Sequence, residues 1–272
     1  MSAAPLAPSP KKSLGQHFLF DKNILGKIVR LAGVIPGEAV LEIGPGPGGL
    51  TRALLDAGAR VWAVETDRRM IEHLREGGFE GVEIIEGDAL KTDYIELAKS
   101  AGEPFRLVAN LPYNISGPLL ALLLKERRAF KSMTLMFQKE VAQRIAAGPG
   151  GRVRGNLSVL AQIFCDVKVI MKVPPGAFRP PPKVESAVIR LDPLSKTVLP
   201  IDDEETLWSI VGESFQHRRK MLRNCLRDRL GEGDEVLQRV GLKGTERPEE
   251  LDSAQWIRLA NEIFRVENIV ES

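Results

Sequence analysis

Hydrophobic positions in the first half of the chain follow two alternating rhythms. Short continuous apolar runs at 39–43, 61–64, 82–85, 105–109 and 133–137 read as strands buried on both faces. Between them the apolar residues fall three and four apart, as on one side of a helix. Ile24, Leu25, Ile28, Val29 and Leu31 follow Asp21, a side chain suited to capping, and Pro36-Gly37 ends that stretch. Helical spacing returns over 50–57, up to about 76, up to about 101, and over 119–124. Strand and helix in strict alternation predict an α/β fold, a doubly wound Rossmann-like parallel sheet.

The rhythm changes after Lys139. A further helix leads to a glycine-rich basic loop at 148–155, then a helix-like run at 159–164. Segments 167–173 and 184–191 suit a closing antiparallel pair, with the proline-rich 174–183 between them. Leu207, Ile210, Val211 and Phe215 share a helical face, as do Trp256, Leu259, Ile263 and Phe264. The expected organisation is a disordered tail over 1–12, an α/β domain over 13–192, a linker over 193–200 and a small all-helical domain over 201–272.

Composition narrows the function. At 272 residues and 43% hydrophobic content the chain can bury a full core, and no apolar run approaches the roughly 20 residues of a membrane span. The Ala-, Pro- and Ser-rich start lacks the features of a targeting peptide. Cys165 and Cys225 are isolated and match no disulfide or metal spacing, which suits a reducing cytoplasm. His17, His73 and His217 lie in separate segments, so neither a nucleophilic triad nor a metal constellation is legible. A net charge of +2 means that any nucleic-acid surface must be local.

The first strand breaks at Gly44-Pro45-Gly46-Pro47-Gly48-Gly49, and Glu65 follows about 20 residues on. Gly44, Gly46 and Gly49 satisfy the dinucleotide pattern, and a nicotinamide dehydrogenase fits that spacing alone. Pro45 and Pro47, however, remove two N–H donors that a pyrophosphate would use. Glu42 stands where a carboxylate suits a cationic amino group, Glu65 where one can accept both ribose hydroxyls, and Asp88 where one can accept from an adenine amino group. A helix cap is the plainer role for each acid. Three at successive strand ends around one glycine loop point instead to S-adenosyl-L-methionine, which carries an adenosine and a positive centre but no phosphate.

The fourth strand spills into Asn110-Leu111-Pro112-Tyr113-Asn114-Ile115-Ser116, at the strand end where open α/β sheets bind ligands. An adenine amino nitrogen is a poor nucleophile because its lone pair is delocalised into the ring. Two acceptors on its hydrogens, the Asn110 side-chain oxygen and the Leu111 carbonyl, would pyramidalise it. Tyr113 can stack on the base and Phe178 can cover the other face, although a proline-rich segment such as 174–183 is often only a stiff connector.

Several stretches occur together and in order. They are 15–19 (Gly-Gln-His-Phe-Leu), 42–46, 87–90, 110–116, 138–142 (Gln-Lys-Glu-Val-Ala) and 178–184 (Phe-Arg-Pro-Pro-Pro-Lys-Val). With 215–224 they resemble the ribosomal RNA adenine N6,N6-dimethyltransferases. That resemblance implies S-adenosyl-L-methionine as cofactor and, as substrate, two adjacent adenosines in a hairpin loop near the 3′ end of small-subunit rRNA. A small-subunit precursor is the expected partner, and a monomer that acts in the cytoplasm is the expected form. The resemblance further implies that His17 and Leu19 flank the cofactor, Gly44 underlies it, Glu65 holds its ribose, Asp88 its adenine, and Asn110 touches both cofactor and target. His17 stands where many members have Asn. Large-subunit methylases of the resistance type usually carry Ile at the position of Leu111, so Leu111 favours the small subunit. A factor that acts mainly by binding the particle is the alternative class.

Arg218, Arg219, Lys220, Arg223, Arg227 and Arg229 fall together against the single acid Asp228. Arg219, Arg223 and Arg227 would share one face of a helix. With Arg152 and Arg154 in the glycine-rich loop, and Lys11 and Lys12 near the start, they form the expected phosphate-contacting surface.

Overall fold

A computed structural model describes residues 8–10, 16–230 and 235–270, so the expected tail over 1–12 and its lysines Lys11 and Lys12 lie outside the described residues apart from 8–10. The strands are β1 (Phe18–Leu19), β2 (Ala39–Ile43), β3 (Arg60–Glu65), β4 (Val82–Glu86), β5 (Phe105–Asn110), β6 (Phe130–Gln138), β7 (Cys165–Val173), β8 (Phe178–Arg179) and β9 (Ser186–Pro193). Helices α1 (Lys22–Ala32), α2 (Gly49–Asp56), α3 (Arg68–Glu76), α4 (Tyr94–Ala101) and α5 (Ser116–Lys125) alternate with β2 to β6. Beyond them come α6 (Lys139–Ile145), α7 (Asn156–Phe164), α8 (Glu204–Gln216), α9 (Leu222–Cys225), α10 (Arg227–Leu230), α11 (Glu235–Arg239) and α12 (Ser253–Val270).

Seven strands form one sheet in the order β4-β3-β2-β5-β6-β9-β7. The β4–β3, β3–β2, β2–β5 and β5–β6 pairings are parallel and β9 runs antiparallel to β6. The strand order reverses between β2 and β5, the switch point at which such sheets bind ligands. Every residue of β2 is buried, as the unbroken apolar run required. Local chemistry sets the helix starts: Asp21, Asp67, Asp93 and Asp203 each accept a backbone N–H in the first turn of α1, α3, α4 and α8.

At the far end of the sheet from the glycine loop, Arg106 anchors the base of β5. Its guanidinium donates to both oxygens of Glu38, to the Ala32 carbonyl and to Ser132 Oγ. Burial pushes the Glu38 carboxyl up, but the Arg106 hydrogen bonds and charge outweigh it and hold the group below its ordinary range.

A two-residue antiparallel ladder, β1 with β8, was not legible in the sequence because two residues carry no periodicity. It pairs Phe18 with Arg179 and Leu19 with Phe178.

Packing divides the chain differently from composition. One unit comprises residues 1–142 and 167–193, the other 143–166 and 194–272. The stretch 143–166 thus joins the helices rather than the α/β domain. Val159, Leu160, Ala161, Ile163 and Phe164 of α7 are buried, and the Phe164 ring stacks on Trp208 of α8 at 6.2 Å. The single basic helix expected near 218–229 is also absent. α8 ends at Gln216, residues 217–221 turn, and two four-residue helices follow, so Arg219, Arg223 and Arg227 share no helical face.

Candidate active site

The glycine loop follows β2 with Gly44, Gly46 and Gly48 all in the left-handed region, at φ of 68°, 55° and 84°. Space also disfavours a side chain at 46 and more strongly at 48. A Cβ on Gly46 would meet the Phe18 ring at 3.0 Å, and one on Gly48 would meet Phe79 at 2.3 Å. Three of the loop's amides are already committed. Gly44 N donates to the Val64 carbonyl, Gly48 N to the Pro45 carbonyl and Gly46 N to Glu65 Oε2. With Pro45 and Pro47 lacking N–H, residues 44–48 offer no free donor for a pyrophosphate, which narrows the room for a dinucleotide to the first-turn amides of α2.

Glu65 ends β3 and is only 6% exposed, yet it lines the cavity. Besides Gly46 N, it accepts the Thr66 and Asp67 amides on Oε1, each at 2.9 Å. These three bonds fix its carboxylate beside the loop and leave further lone pairs to accept from hydroxyls. Asp88, after β4, is exposed at the cavity wall, and its Oδ1 accepts from Leu90 N at 2.9 Å to close its own turn. The cap of α4 is Asp93 instead, which frees Asp88 from the plainer role.

Glu42 departs from expectation. It is 1% exposed inside β2, outside the cavity, and accepts from Thr51 Oγ1 at 2.7 Å. Burial, opposed by that hydrogen bond and reinforced by the Glu65 charge, raises its carboxyl to about 8. A buried neutral acid is not placed to meet a cationic amino group.

Asn110, at the end of β5, faces the same cavity as Gly44, Gly46, Glu65 and Asp88. Its Nδ2 donates to the His17 main-chain carbonyl at 3.2 Å. A carbonyl can only accept, so the contact fixes the amide's orientation and leaves Oδ1 as an acceptor. Leu111 buries its side chain, and among the described residues no backbone N–H is bonded to its carbonyl. Pro112 closes the turn by accepting from Ile115 N.

Tyr113 is held on two sides. Its hydroxyl pairs with Ser186 Oγ at 2.7 Å, and its ring stacks on His17 with centroids 5.7 Å apart and planes at 30°. Burial raises the phenol above its ordinary range, with the Ser186 contact opposing. His17 Nδ1 bonds the Pro180 carbonyl at 2.8 Å, which requires a proton on Nδ1.

Leu19 and Phe178 are not where expected. They are cross-strand partners whose side chains, 7% and 2% exposed, pack into the core with Leu25, Val29 and Val188. Phe178 does not line the cavity; as an apolar residue on the inward side of its ladder it packs rather than covers a base. Gln16, Phe18, Thr66, Asn114 and Ile115 do line it. Phe18 alternates with buried Leu19, a signal visible in sequence once the ladder is known. Ser186 has no sequence signal, since only the fold brings β9 to Tyr113.

In the helical unit, residues 215–220 form a concave turn. Arg219 and Lys220 are exposed there, and Arg218 Nη2 donates to the Arg152 carbonyl at 2.7 Å, joining two expected segments. Cys225 Sγ lies 3.6 Å and 3.8 Å from the carbonyls of His217 and Lys220. Arg227 is exposed, whereas Arg223 reaches the Gly244 and Lys243 carbonyls at 3.4 Å. Arg154 is excluded from a phosphate surface. It is 0% exposed and donates to the Glu249 and Leu251 carbonyls. Arg229 is likewise engaged, by Glu213 and Glu267.

The family model for ribosomal RNA adenine dimethylase matches residues 8–265. Ribosomal RNA small subunit methyltransferase A of Magnetococcus marinus is 44% identical over 255 residues, covering 93% of this chain and 91% of its own. The protein of that name from Phenylobacterium zucineum is 48% identical, over 92% of this chain and 87% of its own. Among solved structures, a dimethyladenosine transferase from Plasmodium falciparum superposes with a TM-score of 0.74 at 29% identity, covering 89% of this chain and 96% of that one. The 23S rRNA methyltransferase ErmE superposes at 0.67 and 28% identity, over 91% and 99%.

Proposed function

The chain belongs to the ribosomal RNA adenine dimethylase family, and from that premise we propose that it dimethylates the N6 amino groups of two adjacent adenosines in the 3′-terminal hairpin loop of small-subunit rRNA. Its substrate would be a precursor of the small ribosomal subunit, and it would act as a monomer. The observation that carries the reading is Asn110, oriented by His17 so that Oδ1 is an acceptor at the end of β5, in one cavity with Glu65 and Asp88.

The residues present fit S-adenosyl-L-methionine, the cofactor of this family. Glu65 would accept the ribose hydroxyls, Asp88 the adenine amino group, and the donor-poor glycine loop would pack against it without demanding a phosphate. When bound it supplies an electrophilic methyl group on a sulfonium, open to in-line displacement. The chain's own work is positional. Asn110 Oδ1 and the Leu111 carbonyl accept the two amino hydrogens and turn the nitrogen lone pair out of conjugation. The Tyr113 ring, braced by Ser186 and His17, offers a face to an adenine swung out of its stack. The cationic product nitrogen loses its proton to water, so no side chain need act as base.

Names of the relatives at 42–48% identity support the small subunit over the large, whereas the 23S enzyme stands at 28%. The test is transfer of labelled methyl to small-subunit and large-subunit particles that lack the modification. Incorporation into the small subunit, abolished by Asn110→Ala, is expected. Preferential labelling of the large subunit would overturn the substrate. Tight particle binding without any incorporation would favour an assembly factor. No described helix is long and apolar enough to cross a membrane.

A further inference from the structure

We propose that Phe20 and Arg179 form a stacking platform for an unpaired RNA base next to the one held in the cavity, an inference that rests on the function proposed above. Side chains alternate along the short strand β1. Phe18 faces Gly46 and lines the cavity, Leu19 turns into the core, and Phe20 returns to the outer side at 41% exposure. Across the ladder Phe178 is buried and Arg179 is exposed. Arg179 is the cross-strand partner of Phe18, which sets it about 5 Å, one strand spacing, from a cavity-lining residue.

The Arg179 guanidinium lies over the Phe20 ring, 4.2 Å from its centroid. Among the described residues two other arginines sit over rings, and each also donates to protein oxygens. Arg52, over Phe79, also bonds the Gly78 carbonyl, and Arg60, over Trp62, bonds the Gly37 carbonyl and Glu103. Among the described residues Arg179 has no carboxylate or carbonyl partner. It is a planar cation laid on an exposed ring with its donors free.

The pair is also held in place beforehand. Phe20 N donates to the Ala177 carbonyl at 3.1 Å, and His17 bonds the Pro180 carbonyl, so the ladder is clamped at both ends. Pre-ordering lowers the entropic cost of binding. An aromatic face beside a guanidinium matches a nucleobase and its phosphate, the combination that single-stranded RNA sites use. When one loop nucleotide is swung into a pocket, its neighbour loses a stacking partner and has a face to satisfy.

The experiment uses the full chain and an RNA hairpin carrying 2-aminopurine at the nucleotide adjoining the target adenosine. Wild-type protein should quench its fluorescence on binding. Phe20→Ala should lose that quenching and bind the hairpin about tenfold more weakly, with an unchanged salt slope, while Phe20→Trp retains both. Arg179→Ala should weaken binding and reduce the salt slope by about one. Binding of S-adenosylhomocysteine should stay at the wild-type level in all three variants. Equal quenching and affinity in Phe20→Ala and wild type would overturn the platform and leave the proposed function standing. Loss of S-adenosylhomocysteine binding in step with the hairpin would also overturn it, because the ring would then be serving the cavity. Wild-type protein that neither binds the hairpin nor methylates small-subunit particles would overturn the function and the platform's occupant together.

Discussion

Asn110 Nδ2 donates to the main-chain carbonyl of His17 at 3.2 Å, joining the end of β5 to the start of the described chain across 93 positions. The bond orients an amide whose two ends do opposite things, since one donates to the protein and the other is left to accept from a substrate. Asn110→Ala removes both, and methyl transfer should fall roughly 10²–10³-fold, the cost typical of losing one preorganised polar contact to a reacting group. Asn110→Asp retains an acceptor but sets a carboxylate against the His17 carbonyl, so it should also be strongly impaired. Single-turnover transfer to small-subunit particles measures both. Near-wild-type rates in Asn110→Ala would remove the residue from the reaction.

Tyr113 separates ring from hydroxyl. Tyr113→Phe keeps the surface that stacks on His17 and loses the bond to Ser186. It should retain most of its activity, with a loss of no more than about tenfold, in line with the roughly 1 kcal/mol net worth of a hydrogen bond. Ser186→Ala should match it. Tyr113→Ala removes the face itself and should be far worse. A Phe variant as inactive as the Ala variant would mean that the hydroxyl, not the ring, is what counts.

Glu42 should impose a pH dependence on stability. Its folded-state value of about 8 lies above the ordinary carboxylate value of 4.5, so between those limits the folded state holds a proton that the unfolded state has released. Stability from this group is therefore intact below about pH 4.5 and declines as pH rises towards 8, by up to about 1.4 kcal/mol for each pH unit. Glu42→Gln keeps an acceptor for Thr51 and cannot ionise. Thermal melts should show the variant gaining on wild type from pH 5 to pH 8. Parallel curves would mean that Glu42 is not held neutral.

Glu38 has the opposite sign. Its carboxyl is held below the ordinary range, chiefly by Arg106 against the pull of burial, so its contribution is present above about pH 4.5 and is lost as pH falls through its lowered folded value. Arg106→Ala leaves the buried carboxylate only Ile35 N and the more distant Lys131 Nζ, and should cost about 3 kcal/mol at neutral pH, and less in acid. Chemical denaturation at pH 7 and pH 4 tests this, and an equal loss at both would refute it.

The basic turn should act through charge. Arg219→Glu and Lys220→Glu change exposed side chains that have no carboxylate partner among the described residues. Each should weaken RNA binding across sequences and lower the salt slope by roughly one or more. Binding measured from low to high salt decides it, and superimposable wild-type and variant lines would remove the turn from the RNA surface.

The sequence by itself determined the alternation of strand and helix, the glycine loop, and the strand-end positions of Glu65, Asp88 and Asn110. These follow from local causes: a buried parallel strand must be continuously apolar, a tight strand-to-helix turn needs glycine, and a chain leaving such a strand emerges at the ligand edge. Only the tertiary structure decided which way those side chains are used. Glu42 and Asp88 both follow strand-end logic, yet burial inside β2 neutralises one while the other faces the cavity. Phe178 and Phe18 are both aromatic residues on two-residue strands, and the ladder sends one into the core and the other to the cavity. Arg154 and Arg152 lie two apart in one basic loop, and packing against residues 249–251 buries the first and leaves the second exposed. The physical reason is common to all three pairs. Residue type and spacing fix what a side chain can do, but burial and partner are set by contacts between segments far apart in the chain, as with Tyr113 and Ser186, 73 positions apart.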